Sequence, residues 1–139
     1  MNSNDSLIKR PFVSVWVAAT VLDCNEHKVH KLIDDGQLTF AFDIARPSAS
    51  RACIRISTPM LMACKAEQKV KTTLRELLDE TLPKTKPVYE PSEVAWMLQC
   101  DYDHVYKLIR RGALEDVGRT HYQIPRGSLV MFLKGRRIV

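Results

Sequence analysis

VAWMLQCDYDHVYKLIRRGAL, running from Val94 to Leu114, matches AATVLDCNEHKVHKLIDDGQL, Ala18 to Leu38, at a constant offset of 76 residues. Nine of the 21 aligned positions are identical, pairing Ala19, Leu22, Cys24, Val29, Lys31, Leu32, Ile33, Gly36 and Leu38 with Ala95, Leu98, Cys100, Val105, Lys107, Leu108, Ile109, Gly112 and Leu114. An internal repeat constrains the organisation of a chain more firmly than residue propensities do, because each copy is one supersecondary unit. Beyond the matched blocks both halves enter a basic, β-rich stretch, RACIRISTPML and GRTHYQIPRGSLVMFL. Ile56 and Ile124 there differ by 68, so the first intervening loop is eight residues longer.

Each block reads as two short helices with a tight turn. Pro91 or Ser92 opens a helix with Val94, Ala95 and Leu98 on one face, and Asp101 caps a second. That second helix sets Val105, Leu108 and Ile109 at i, i+3 and i+4 and stops at Gly112, a natural left-handed C′ residue. Asn25, Val29, Leu32, Ile33 and Gly36 repeat the pattern upstream. With the apolar stripe turned inward, Asp103, His104, Tyr106, Lys107, Arg110 and Arg111 form an outer face open to a ligand. Gly118 to Ile124 alternates as a hairpin or wing, and a third helix follows Pro125. Trp16 and Trp96, near the first helices, are expected in the core.

Composition excludes several classes. With 139 residues, 45% hydrophobic and 27% charged, the chain has one modest core or two very small ones. No apolar run is long enough to span a bilayer, and MNSNDSLIKRPF lacks the order of a secretory signal, so a cytoplasmic protein without membrane association is expected. Cys24, Cys53, Cys64 and Cys100 form no CxxC pair and read as reduced thiols. Cys24, His27 and His30 make C-x-x-H-x-x-H, a pattern of good zinc ligands. The repeat favours a different role: Cys100 occupies the same slot, followed by Asp103 and Tyr106, so the cysteine fills a small core position. No phosphate loop, HExxH or G-x-S-x-G is present, and the expectation is a non-enzyme with no cofactor and no metal.

The segment SEVAWMLQCDYDHVYKLIRRGALEDVGRTHYQIPRGSLVMFL resembles the excisionase and MerR-like winged helix-turn-helix family, through YKLIRRG, VGR and IPR..L..FL. The likeness extends more loosely over the first half through VHKLIDDGQL and IRISTPML. It implies a mainly α fold with small β wings, an α+β arrangement of tandem winged helix-turn-helix domains joined by a helical connector. The domains run over residues 11–63, with a long and degenerate wing, and 88–139, with a connector helix and Pro-containing hinge over 59–87. The resemblance also implies a sequence-specific double-stranded DNA-binding protein of a bacterium, phage or mobile element, nucleoid-associated when bound. Its role would be transcription regulation or excisionase-like DNA recombination.

By position, the implied readers are His104, Tyr106, Lys107, Arg110 and Arg111 on the second helix, with Arg119 and His121 on the wing. In the first copy they are Lys28, Lys31, Arg51 and Arg55. Asp101-Tyr102-Asp103 departs from the Ser-Arg-Ser/Thr common in the family, and Asp103 and Glu26 would repel phosphates. Residues 13–62 carry five basic and five acidic side chains, against eight and six in 88–139. Asp34-Asp35 stands where the second copy has Arg110-Arg111, so phosphate contact favours the second copy. The first copy then docks a protein partner or reads DNA through its wing. An alternative for the whole chain is a protein-protein interaction adaptor that keeps the winged fold with little DNA binding.

Between the copies, Thr58 is read as an N-cap before Pro59, opening one long helix to about Glu80. Leu61, Met62, Ala66, Val70, Leu74, Leu77 and Leu78 would make a continuous stripe along it. Such a stripe suits either a homodimer through the 59–80 helix or packing onto the chain's own domains.

Overall fold

The computed structural model describes residues 10–47 and 49–138. It is a small α+β protein whose described residues form seven helices and two antiparallel sheets. The first half runs β1 (Phe12–Ser14), α1 (Val15–Leu22), α2 (Glu26–Asp34), β2 (Ala41–Asp43), β3 (Ile54–Ser57) and α3 (Thr58–Lys65). After α4 (Leu74–Thr81), the second half runs β4 (Val88–Tyr89), α5 (Pro91–Met97), α6 (Tyr102–Arg110), β5 (Ile124–Pro125) and α7 (Arg126–Gly135). Among the described residues no helix is long and apolar enough to cross a membrane.

The repeat persists in the backbone. Asp23 and Gln99, 76 residues apart, both adopt left-handed backbone, at φ 54° and 49°. The chain turns there so that the Cys24 and Cys100 N–H groups reach the carbonyls of Ala19 and Ala95, each at 3.0 Å. Gly36 and Gly112 follow α2 and α6 at φ 75° and 79°, as the sequence predicts for C′ residues. The Leu38 and Leu114 N–H groups then close on Leu32 and Leu108. The equivalence extends to strand register: Val13 pairs with Ile56 and Tyr89 with Ile124, the same two sequence positions in each copy.

The first half has a core of its own, and the core of the second half is completed by residues of the first. The larger sheet has the order β1-β3-β2, and alternation along its strands sends side chains to opposite faces. Val13, Ala41 and Ile56 join Val17, Ala18, Val29, Ile33 and Leu61 in a cluster made by the first half alone. From the other face Phe12 and Phe42, in edge contact at 5.5 Å, enter a cluster with Leu77, Leu78, Tyr89, Val94, Leu98, Val105, Leu108, Ile124 and Leu133. The sheet is thus buried on both sides. The C-terminal tail returns to its edge, where the Asp43 N–H donates to the Arg136 carbonyl (2.9 Å) and the Ile138 N–H to the Ala41 carbonyl (2.7 Å).

Four local expectations are corrected. The long connector helix is two helices, because α3 ends at Ala66 and Glu67 takes φ 56°, while Thr73 opens α4 by accepting the Glu76 N–H. Residues 66–71 between them are exposed, and helix propensity without a buried face does not hold so short a segment. Leu61 faces the first cluster and Leu77 and Leu78 the second, so the single stripe expected for a dimer helix is divided between two cores. The N-cap of α3 shifts by one position, to Ser57 from Thr58, whereas α5 opens at Pro91 as expected, with Glu90 before it in a capping box with Glu93. Trp16 and Trp96 are exposed rather than core, with the Arg10 guanidinium 5.9 Å from the Trp96 ring. The segment read as a hinge is tied down, since Tyr89 Oη donates to the Pro83 carbonyl and the Arg126 N–H to that of Pro87.

Candidate nucleic-acid interface

α6 is amphipathic: Val105 and Leu108 are fully buried, and its outer face carries Tyr102, Asp103, Tyr106, Lys107 and Arg110, with Arg111 as the C-cap. Asp101 occupies the N-cap position through its extended backbone, without a side-chain cap bond. The acidic residue expected to repel phosphate is neutralised locally. Lys107 Nζ lies 3.0 Å from the Asp103 carboxylate and Arg110 Nη2 3.8 Å from it. The hydrogen bond and charge of Lys107, reinforced by Arg110, hold the Asp103 carboxyl below the usual carboxylate range. Arg110 also donates through Nε to the Tyr106 carbonyl, which holds the guanidinium along the helix.

Beyond α6, the expected alternating hairpin is a compact loop leading into β5. The Asp116 carboxylate accepts the N–H groups of Gly118 (2.8 Å) and Gln123 (2.9 Å), and the Val117 N–H donates to the Gln123 carbonyl. Those two N–H bonds keep the Asp116 carboxyl ionised to lower pH than usual. A Cβ at Gly118 would fall 1.7 Å from the His121 carbonyl oxygen, so the turn has room only for glycine. The loop holds Arg119 and His121 exposed around a shallow cavity of about 190 Å³, bordered also by Asp116, Thr120 and Tyr122.

A chain of tyrosines joins helix to loop. Tyr102 and Tyr106 rings lie 4.9 Å apart, and Tyr106 and Tyr122 5.2 Å apart. Hydrogen bonding with Tyr102, together with partial desolvation, raises the Tyr106 phenol above its ordinary value. Tyr106 therefore joins the α6 face to the loop that carries Arg119 and His121. Tyr102 and Tyr122 belong to this surface although the sequence pattern does not single them out. The i, i+4 spacing of Tyr102 and Tyr106 is a legible signal, whereas the approach of Tyr122 depends on how the loop closes.

Two predicted contacts are placed elsewhere. Arg55 lies half-buried on the sheet face turned toward the second half. Its Nε donates to the carbonyls of Leu98 (2.7 Å) and Gln99 (3.1 Å), and Nη2 to that of Gln99 (2.8 Å), so these donors are used within the chain. His104 Nε2 lies 2.6 Å from the Ile44 carbonyl, which ties the start of α6 to the first half instead of leaving the imidazole to an external ligand. Both corrections have one cause: the two halves share a core, and polar groups at the joint satisfy each other. Lys28, Lys31 and Arg51 remain exposed, and among the described residues no hydrogen bond, ion pair or ring contact joins them to the α6 face. Arg137 in the tail sits 4.4 Å over the Phe40 ring.

Cys24, Cys53, Cys64 and Cys100 are free thiols, each partly buried against one of the two clusters. Burial beside the joint pushes the Cys100 thiol up to about 12. Among the described residues no group of three or more His, Cys, Asp or Glu side chains is placed to hold a metal ion. Comparison of the chain with protein-family models, curated proteins and solved structures gave no match.

Proposed function

We propose that this chain is a non-enzymatic, sequence-specific double-stranded DNA-binding protein in which α6 is the reading helix and the Asp116–Gln123 loop is its wing. Both halves follow a tandem winged helix-turn-helix plan in this reading, and the role is that of a transcription regulator or an excisionase-like recombination accessory factor. The observation that carries it is the Tyr106–Tyr122 contact, which joins the α6 face bearing Lys107 and Arg110 to the loop bearing the exposed Arg119 and His121. Cations on a helix face and an adjacent loop suit contact with a groove and its flanking phosphates, and tyrosines suit contact with sugars and base edges.

The test is fluorescence anisotropy with a random-sequence duplex at several salt concentrations. Affinity should fall steeply as salt rises, since each neutralised phosphate releases counterions, with a log–log slope of about −0.9 per phosphate. Absence of binding at low salt would overturn the reading. It would favour the protein-adaptor alternative, for which the exposed Glu26, Asp34 and Asp35 on α2 offer an acidic docking face.

A further inference from the structure

In the first half, the turn between α1 and α2 is closed by backbone bonds from Asp23 and Cys24 to Thr20 and Ala19. In the second, the equivalent turn between α5 and α6 is also gripped from outside by three groups of the first half. Arg55 reaches the Leu98 and Gln99 carbonyls, which lie at the C-terminal end of α5 where helix carbonyls lack intrahelical partners. The Ser14 N–H donates to Gln99 Oε1 at 2.6 Å. The Ile44 carbonyl meets His104 at 2.6 Å, near the start of α6. The sheet beside these groups has both faces covered by apolar clusters, and its β2 edge is occupied by the tail that follows α7.

We infer that the first half is a positioning platform for the second: it sets the orientation of α6, with Arg55 as the principal positioning residue. This rests on α6 being the reading helix, and it assigns the first half a task that requires no DNA contact of its own. A guanidinium suits the position because its planar fork can serve two successive carbonyls at once, whereas an ammonium is a point donor. Base readout depends on side-chain placement to within a fraction of an ångström, so a loosened turn should impair discrimination between sequences before it impairs attraction to phosphate.

Two measurements on the full chain test this. The first is native-state alkylation at pH 8, with the four cysteines resolved by mass spectrometry. Cys100 reports the joint, and Cys24 reports the equivalent turn, to which Arg55, the Ser14 N–H and the Ile44 carbonyl make no hydrogen bond among the described residues. Arg55→Met should speed Cys100 labelling roughly tenfold through loss of charge-assisted hydrogen bonds, leave Cys24 unchanged, and be partly rescued by Arg55→Lys. Unchanged Cys100 labelling, or equal acceleration at both cysteines, would overturn the platform.

The second measurement compares a random duplex with a duplex selected by the wild-type chain from a randomised pool. Arg55→Met should lower the preference for the selected duplex roughly tenfold while leaving the salt slope on the random duplex unchanged. A lower slope would make Arg55 a phosphate contact and overturn the proposal. If the wild-type chain binds neither duplex, the DNA reading fails, and the alkylation result still decides whether the clamp holds the turn.

Discussion

Where α6 ends in Arg110 and Arg111, α2 ends in Asp34 and Asp35, although the two helices share their turn geometry, their C′ glycines and their buried stripes. Lys28 in α2 stands where α6 has His104; the lysine is exposed, and the histidine is bonded across the joint. His30 is exposed, while its counterpart Tyr106 is enclosed between Tyr102 and Tyr122. One backbone plan therefore supports two different outer faces, one ending in acidic residues, the other ending in basic residues and joined to a loop through Tyr106 and Tyr122. Repetition preserves what the backbone and core require and leaves the solvent face free to differ.

The strongest way to break the comparison is to ask whether the halves are independent at all. Phe42 belongs to the first half by sequence and to the second by packing. Phe42→Ala should destabilise the whole chain by about 3–5 kcal/mol. In urea, Trp16 and Trp96, each isolated by changing the other to Phe, should report one coincident transition with the same lowered midpoint. Two separate transitions would show that the shared cluster does not couple the halves.

Next in size is the contrast between the helix ends. Arg110→Ala with Arg111→Ala should reduce affinity for duplex DNA by about 10-fold to 100-fold and lower the salt slope by about 1–2. Lys28→Ala with Lys31→Ala should change affinity by less than about threefold. Equal losses from the two pairs would mean that both helices meet phosphate, and that the charge difference between the halves does not direct binding.

The glycines sharpen the likeness in place of the difference. A methyl group added at Gly36 or Gly112 would meet nothing within 4 Å, so only their positive φ opposes alanine. Gly36→Ala and Gly112→Ala should each cost about 1–2 kcal/mol, measured by urea denaturation. Gly118→Ala should instead make the loop rearrange, because the added methyl meets the His121 backbone carbonyl. Weakened DNA binding with little change in the unfolding midpoint is the expected signature of that loop.

The smallest effect is expected from Asp103→Asn. The change releases Lys107 and Arg110 from their shared carboxylate and removes a negative charge from the α6 face. Affinity for random duplex should rise by about twofold to fivefold, most clearly at low salt. A loss of affinity instead would show that Asp103 is needed to aim the two cations.

Much of the plan is legible in the chain because it depends on local chemistry. Helical spacing with Gly36 and Gly112 as stop signals locates α2 and α6, and the offset repeat locates their copies. The connector reads as unbroken because helix formers from Thr58 to Glu80 satisfy propensity, whereas residues 66–71 have no core to bury against. Arg55 reads as a DNA contact for a related reason. A basic residue on an expected wing looks solvated until the neighbouring half supplies two backbone carbonyls at hydrogen-bonding distance.

The sequence alone determined the repeat, the spacing of two short helices about a turn and the charge contrast between Asp34-Asp35 and Arg110-Arg111, since these follow from which residues stand three, four and 76 positions apart. Only the tertiary structure decided that the two halves share a core, that Arg55 and His104 turn inward, and that Tyr122 completes a surface with Tyr106. Those features join residues distant along the chain, and their energies arise from burial and from satisfying polar groups at a joint, which no local pattern encodes.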